Sequence, residues 1–427
     1  MVVLAIIPKI KESKMQGKDT TKSTFEQLFE PIFSNFLSSL LQKLEVDKYV
    51  KKLTALKFIV LMVYAQLEQL KSLREISSSL HNKDLSQSVK LLSISFSQLS
   101  RKLRGMMLET VQQLFLDLVN QIGIETGFNP IREKLGRLYL IDSSTISLCL
   151  TRYRWASFRK TKGGIKVHLR LRLFEKGVIP DAALITSAKK ADKTQMDELI
   201  INEEGAINVF DRAYVDYKKF DDYCQKGIHF VSRLKKNALV EVTEEVKPGG
   251  KIKKDSIVRL GKKGFNQMEH LVRLIETKDS EGKPVTIITN NFTLSAAEIS
   301  DIYLYRWQIE LFFKWIKQHL KIKRFYGYSQ KAVEIQIYIA LITYCLLKLI
   351  QVKTGYQGPL LTIRRILKTC LYEPFNYFVR KLYRKPQKST KGRRRLNHDI
   401  IFQETLRQVI AGEADHLDDL SYDPVIL

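Results

Sequence analysis

Cysteine is scarce in this chain of 427 residues: four in all, at Cys149, Cys224, Cys345 and Cys370. No two lie close in sequence and there is no C-x-x-C pair, which argues against a structural zinc site and against a disulfide framework. Acids are under-represented too, 45 against 71 lysines and arginines, so the formal net charge is +26. A surplus of that size draws polyanions, nucleic acid before anionic membrane. Long apolar runs are also missing. The longest, Ile335 to Val352, contains Gln336 and Lys348 and reads as a buried helix. The opening Met-Val-Val-Leu-Ala-Ile-Ile-Pro is brief, and its lysines follow rather than precede it, the wrong order for a secretory signal. There is no internal repeat. Gly163-Gly164 follows Arg159, Lys160 and Lys162 in a basic loop without the pattern of a nucleotide-binding loop. The expectation is an intracellular protein with no membrane span.

What is present divides the chain into regions. Residues 1–23 read as a flexible polar tail. From 24 to 130 the apolar spacing is helical: Leu28, Ile32, Phe36 and Leu40, then Leu56, Ile59, Val60 and Val63. Within it, 72–104 fits either a helix-turn-helix-like unit presenting Ser100, Arg101, Lys102 and Arg104 to DNA or a plain bundle with a solvated basic face. From 131 the pattern changes to short strands and helices. Arg137–Asp142 and Ile207–Asp211 are apolar strands, each ending in an acid. Lys166–Leu173 alternates strictly and predicts a half-exposed strand with a basic face. Pro180–Ser187 and His229–Leu234 predict further strands, Lys193–Glu203 and Val215–Gln225 helices. Such alternation predicts an α/β fold. Residues 236–290 break the rhythm as a β-rich insertion, and a single helix is expected from about Ser295 to Leu320, with Ser295 and Glu298 as its capping pair. Beyond 351 come helical sequence and a tail. Nine Lys/Arg and no acid lie between Arg380 and Arg395, then an acidic end follows. That run suits either a nucleic-acid arm or a solvated linker.

The predicted helix holds the most informative pattern, Tyr303-x-x-Arg306-x-x-x-Glu310-x-x-x-x-x-x-Lys317. At about 100° per residue these four fall within roughly 60° of one another, with Lys314 and Lys321 on the same stripe. A carboxylate is a hard ligand suited to Mg²⁺, and flanking Arg and Lys suit phosphate oxygens; a solvated face with i,i+4 pairs has the same spacing. The strand-end acids Asp142 and Asp211 tip the balance. Three converging carboxylates raise one another's pKa unless cations compensate, and two metals about 3.5–4 Å apart can activate an attacking oxygen and stabilise a leaving one. Asp181 and Asp192 are the other acids that could replace Asp142; Asp192 lies in a Lys-rich turn typical of plain surface. His168 is read as solvent-facing or phosphate-contacting rather than as a general base, and Trp307 as stacking on a base or packing beside the site.

Leu138-Tyr-Leu-Ile-Asp142-Ser-Ser-Thr, Val209-Phe-Asp211-Arg-Ala-Tyr214 and the Tyr303/Arg306/Glu310/Lys317 signature together resemble the DDE transposases of bacterial insertion sequences, specifically the IS-four family with its YREK signature. Phe230–Asn237 and Tyr305–Lys317 are similar to the same family, and the resemblance spans roughly 25–350. It implies a ribonuclease-H-like catalytic core at 131–235 and 291–350 interrupted by the β-rich insertion at 236–290; the all-helical region at 24–130, expected to bind DNA, precedes this core, and a helical and basic/acidic C-terminal region at 351–427 follows it, its tail not clearly family text. It further implies that Asp142, Asp211 and Glu310 are catalytic and bind Mg²⁺, with Mn²⁺ able to substitute. Tyr303, Arg306, Lys314 and Lys317 would contact DNA. The implied partners are double-stranded DNA, as transposon terminal inverted repeats and target, and a second copy of the chain on that DNA, in the cytoplasm at the nucleoid. The implied reaction is nicking at the transposon end and transfer of the freed 3′-hydroxyl into target DNA. Ala213 stands where the family motif often has Gly, and no counterpart is evident for the tryptophan with which some relatives hold a flipped base.

Overall fold

The computed structural model describes residues 22–384, apart from 160–161, 247–248, 250–251 and 279–283, together with Gln403, Arg407 and Ala411. Most of the N-terminal tail and the basic-then-acidic C-terminal run lie outside the described residues.

The first region is all-helical: α1 (Thr24–Phe29), α2 (Asn35–Lys43), α3 (Ala55–Glu68), α4 (Leu73–Ser79), α5 (Lys83–Val89), α6 (Phe96–Gly105) and α7 (Leu108–Thr126). Polar residues start the first six helices, each accepting a hydrogen bond from an orphan backbone N–H with its side-chain oxygen: Ser23, Ser34, Thr54, Ser72, Asn82 and Ser95 cap α1 to α6 in turn. On α6, Arg101 and Arg104 are exposed, whereas Lys102 is held by Asp47 at 2.8 Å.

Strands β1 (Arg137–Leu148), β2 (Ser157–Arg159), β3 (Lys162–Phe174) and β4 (Gly177–Ser187) follow, then α8 (Met196–Leu199), β5 (Ala206–Phe210), α9 (Tyr217–Gln225) and β6 (His229–Arg233). The expected helix over Lys193–Glu203 is only a 3₁₀ turn (Asp192–Gln195) leading into α8. Strands β7 (Val240–Val246), β8 (Lys254–Leu260), β9 (Val272–Lys278) and β10 (Pro284–Thr289) come next. All ten strands form one sheet, ordered β2-β3-β1-β5-β6-β10-β9-β8-β7, with β4 also paired to β3. β1, β5 and β6 run parallel, and β3 and β10 lie antiparallel on either side of them. The strands of 240–289 therefore extend the sheet beyond β6. They end at β7, an edge strand that carries Glu241, Glu244 and Glu245 and is exposed along its length, a charged edge that discourages pairing with other chains.

Central β5 is buried throughout, as a parallel strand covered on both faces should be. β3 departs from expectation: the alternating Arg170 and Arg172 point to covered partners, Asp181 and the Tyr139 hydroxyl, so the strand is mostly buried. One face of the sheet carries an aromatic stack of Phe210, Phe220 and Phe230 packed with Ile141 and Tyr214. The other joins the large core shared with the N-terminal helices and α12 (Gln330–Thr354). By length and hydropathy α12 could cross a membrane, but 89% of its most apolar window is buried inside the protein, as in a core helix.

Between β10 and α12 in sequence come α10 (Ala296–Leu304), packed on β6, β9 and β10, and α11 (Trp307–His319), packed on β1. Ser295 and Glu298 form the capping box expected for α10. The one long helix expected over 295–320 is instead two, separated at Tyr305–Arg306. α13 (Leu360–Cys370) and α14 (Phe375–Leu382) close the fold, and Thr24 is tied to the Glu373 carbonyl, fastening the first helix to the last.

Candidate active site

Strand register brings the two aspartates together. β1 and β5 pair in parallel from Arg137↔Ala206 to Ile141↔Phe210, so the next residue on each chain, Asp142 and Asp211, sits side by side at the end of the ladder. Their surroundings differ from the expected pair of strand ends. Asp211 follows the last residue of β5 and starts a 3₁₀ turn (Arg212–Tyr214). Asp142 lies in mid-strand, because β1 continues to Leu148 in its pairing with β3.

Successive side chains on β1 face opposite ways. Asp142 and Ser144 face α11, and Ile141 and Ser143 face the aromatic side. Arg306, at the break between α10 and α11, reaches Asp142 at 3.7 Å and Glu310 at 2.7 Å. One guanidinium thus stands between the first aspartate and the glutamate. The break does not scatter the signature. Arg306 retains helical backbone angles at the start of α11, so its i,i+4 partner remains Glu310. Tyr303 lies one turn earlier on α10, its ring 5.7 Å from the Arg306 guanidinium carbon. Arg306 Nε is buried without an acceptor, and the buried Tyr303 hydroxyl is close enough to the guanidinium for Arg306 to lower its pKa against the rise from burial. Lys317 Nζ donates to Ser144 Oγ at 2.6 Å and the Thr145 carbonyl at 3.2 Å. Lys314 is exposed on the outer side of α11 and joins none of these contacts.

Electrostatics reflect the crowding. Asp142 has a pKa of about 6. Burial is the main cause; the Ser143 N–H and Arg306 pull it down, and Asp211 and Glu310 push it up. Arg306 is held firmly protonated: burial opposes its charge, and Tyr303, Glu310 and Asp211 more than offset that. Burial, with Lys323 nearby, lowers Lys317. The Tyr214 hydroxyl is pushed strongly up by burial and then by Asp142 and Asp192, with Ser143 opposing.

Two expectations are corrected. His168 is fully buried, with Nε2 against Thr186 Oγ1 at 2.9 Å, and its pKa falls to about 4, first through burial. It is a neutral interior imidazole and contacts no solvent. Asp192 is not plain surface: it accepts from Ser143 Oγ at 2.5 Å and pairs with Lys166 at 3.1 Å, directly behind Asp142. Asp181, on β4, is taken by Arg170 of β3 at 2.8 Å and does not join the cluster around Asp142. Trp307 is exposed beside the site. The sequence reading gave Ser143 and Ser144 no role; their period-two placement around Asp142 was the available signal.

Among the described residues no three or more His, Cys, Asp or Glu side chains are gathered closely enough to hold a metal ion. The donor chemistry nonetheless fits a hard divalent cation. The ligands on offer are carboxylate oxygens, and Asp142, whose pKa is raised first by burial, has Asp211 and Glu310 close enough to raise it further. Beside Asp211 a cleft of about 450 Å³ opens between Arg212, Ala213, Lys235, Lys236 and Asn237.

Comparison with known families agrees with this geometry. The transposase DDE domain matches residues 133–346, which contain every residue of the cluster. A domain of unknown function (DUF4372) matches residues 20–94 in the helical region. A protein of Sinorhizobium fredii described as transposase y4zB is 32% identical over 252 residues, covering 57% of this chain and 68% of its own. A transposase described for insertion sequence element IS5377 of Geobacillus stearothermophilus is 25% identical over 308 residues, 71% of this chain and 78% of its own. One described for element IS4SA of Synechocystis is 29% identical over 205 residues, 47% of this chain and 57% of its own.

Proposed function

The chain belongs to the transposases with a DDE domain, and from that membership we propose that Asp142, Asp211 and Glu310 are its catalytic acids. The family makes it a DNA transposase that acts on DNA and depends on a divalent metal. The carrying observation is the parallel register that sets Asp142 beside Asp211, with Arg306 linking Asp142 to Glu310. The order β4-β3-β1-β5-β6, with β1, β5 and β6 parallel, supports a ribonuclease-H-like core, and the β-strands of 236–290 would be its insertion between 131–235 and 291–350.

The cation is Mg²⁺, with Mn²⁺ able to replace it. Held by these carboxylates, it would activate the attacking oxygen and stabilise the leaving one. The chain's own groups position the strand. In the free protein Arg306 supplies the positive charge among the acids. When DNA enters, Arg306 Nε, buried without an acceptor, is a donor ready for a phosphate oxygen, since buried donors demand acceptors, and Tyr303 Oη beside it can donate to the same phosphate. Lys317 releases Ser144 for a neighbouring phosphate, and Lys314 meets the strand from outside. Water oxygen first attacks phosphorus at the transposon end and the 3′-oxygen leaves as a hydroxyl. That hydroxyl then attacks a target phosphorus, and a target 3′-hydroxyl leaves. Two transposon ends call for two copies of the chain, working on DNA at the nucleoid in the cytoplasm.

The test is to incubate the protein with its element's end duplex, a target plasmid and Mg²⁺ or Mn²⁺. Joined products are expected from the wild type and loss of at least ~100-fold from Asp142→Ala, Asp211→Ala and Glu310→Ala. Full joining by any of the three would remove that residue from the site. Nicked but never joined DNA would reduce the protein to a nuclease, and retarded, uncut DNA in either metal would make it a binding protein.

A further inference from the structure

Two segments that flank the acid site are without a single acid: 143–174, with eight cations, and 311–333, with six. They meet at one place. The turn after β1 (149–156) packs against the turn that leads from α11 to α12 (320–329). Trp155 Nε1 donates to the Tyr328 carbonyl at 2.7 Å, the Tyr153 and Tyr328 rings meet edge to face at 5.4 Å, and the Arg152 guanidinium carbon lies 5.8 Å from the Tyr328 ring centre.

This junction is rigid. Tyr326 Oη donates to the Leu70 carbonyl at 2.7 Å and its N–H to Gln336 Oε1 at 2.8 Å. At Gly327 an added Cβ would come within 2.7 Å of Ala332 Cβ, so the backbone is pressed onto α12. Yet Tyr328 keeps 53% of its surface exposed, and Arg152, Lys323 and Arg324 are exposed around it. Lys323 is close enough to Lys317 to disfavour its charge, so the cations continue from the signature lysine to the junction. On α11, Glu310 and Lys317 are seven residues apart, about 10 Å at 1.5 Å per residue, and the junction lies beyond Lys317.

We propose that Tyr328, Arg152, Lys323 and Arg324 form a second DNA-contact surface. It holds the backbone of the strand whose phosphate occupies the acid site, several nucleotides from that phosphate. The inference rests on the catalytic reading above and names the path of the strand away from the acids. Arg152, Lys323 and Arg324 pair with phosphates. The fixed Tyr328 ring packs on a sugar or base edge and keeps Arg152 in place through its face. DNA is the occupant because exposed Arg152, Lys323 and Arg324, carried on two segments without acids and continuous with the signature lysine, make a surface complementary to a polyanionic strand.

The experiment measures affinity for the end duplex across a salt series, together with nicking, for wild type, Arg152→Ala, Tyr328→Ala and Tyr328→Phe. The duplex is made with a neutral methylphosphonate at each successive position from the cut. Arg152→Ala should bind about 3- to 10-fold more weakly and lower the salt slope by about one. Tyr328→Ala should weaken binding similarly, with Tyr328→Phe close to wild type. A methylphosphonate several positions from the cut should weaken the wild type but not Arg152→Ala. Unchanged affinity and slope in Arg152→Ala and Tyr328→Ala, with the wild type still nicking, would overturn this surface alone. An equal methylphosphonate effect in wild type and Arg152→Ala would do the same. A wild type that neither binds nor nicks the end duplex would overturn the catalytic reading, and this surface with it.

Discussion

Buried beside Asp211 and Glu310, Asp142 keeps its proton up to about pH 6, against an ordinary 3.8. A carboxyl whose pKa is raised on folding favours the folded state when protonated. Its contribution is fully present below about pH 4 and is lost as pH rises to about 6, leaving a penalty above that of roughly 3 kcal/mol. Asp142→Asn should therefore raise the melting temperature of the metal-free protein at pH 7.5 while abolishing nicking, and the gain should vanish at pH 4. Thermal scans at both pH values check it; an unchanged or lower melting temperature at pH 7.5 would mean that the site does not strain this carboxyl. Added Mg²⁺ should narrow the gap, because only the wild type gains from binding it. His168, a few ångströms behind, shows the opposite adjustment: burial keeps it neutral, so the activity profile near neutral pH should not carry its titration.

At the level of elements, α10 and α11 are aimed by the far half of the sheet. Arg273 on β9 forms a two-pronged pair with Asp255 on β8 at 2.8 and 2.6 Å, and its third nitrogen donates at 2.5 Å to the Leu294 carbonyl, just before the Ser295 cap. Both partners are nearly buried, so removing one leaves an uncompensated charge at a cost of about 3–5 kcal/mol. Arg273→Ala should lower stability by that order. Asp255→Asn with Arg273→Met, which removes both charges, should recover much of it, as paired denaturation curves would show; equal losses in single and double variants would deny the coupling. None of this was legible in the sequence, where Arg273 and Asp255 are two charges among many in a β-rich stretch. What was legible had a local cause: apolar strands leading to Asp142 and Asp211, the Ser295/Glu298 cap, and the three-and-four spacing that keeps Arg306 on Glu310. What was not legible depends on tertiary partners. The break at Tyr305–Arg306 has no glycine or proline to announce it. The burial of Arg170 and Arg172 needs Asp181 and Tyr139 from other strands, and alternation alone could not tell a covered basic face from an exposed one.

Across the whole molecule, charge and core divide the work. The helical region, α12 and one face of the sheet share a continuous core, which ties the N-terminal helices to the segment that carries the acids. The net charge of +26 is in turn left to the surface, where it repels itself until a polyanion arrives. Binding should then be driven by the release of counterions from DNA, with log affinity falling linearly in log salt by about 0.9 per phosphate contacted. With about six or more phosphates contacted, a rise from about 50 to 200 mM salt should weaken binding by ~10³-fold or more. The loss should be nearly the same for the end duplex and for unrelated duplex, because phosphates carry no sequence. Anisotropy titrations on both duplexes measure this. A steep common slope with a salt-independent ratio between the two would assign the surplus charge to the backbone and end recognition to base contacts. A shallow slope would mean that most of the 71 cations face solvent or one another, and that the strand is held by little beyond the groups around Asp142 and Arg306.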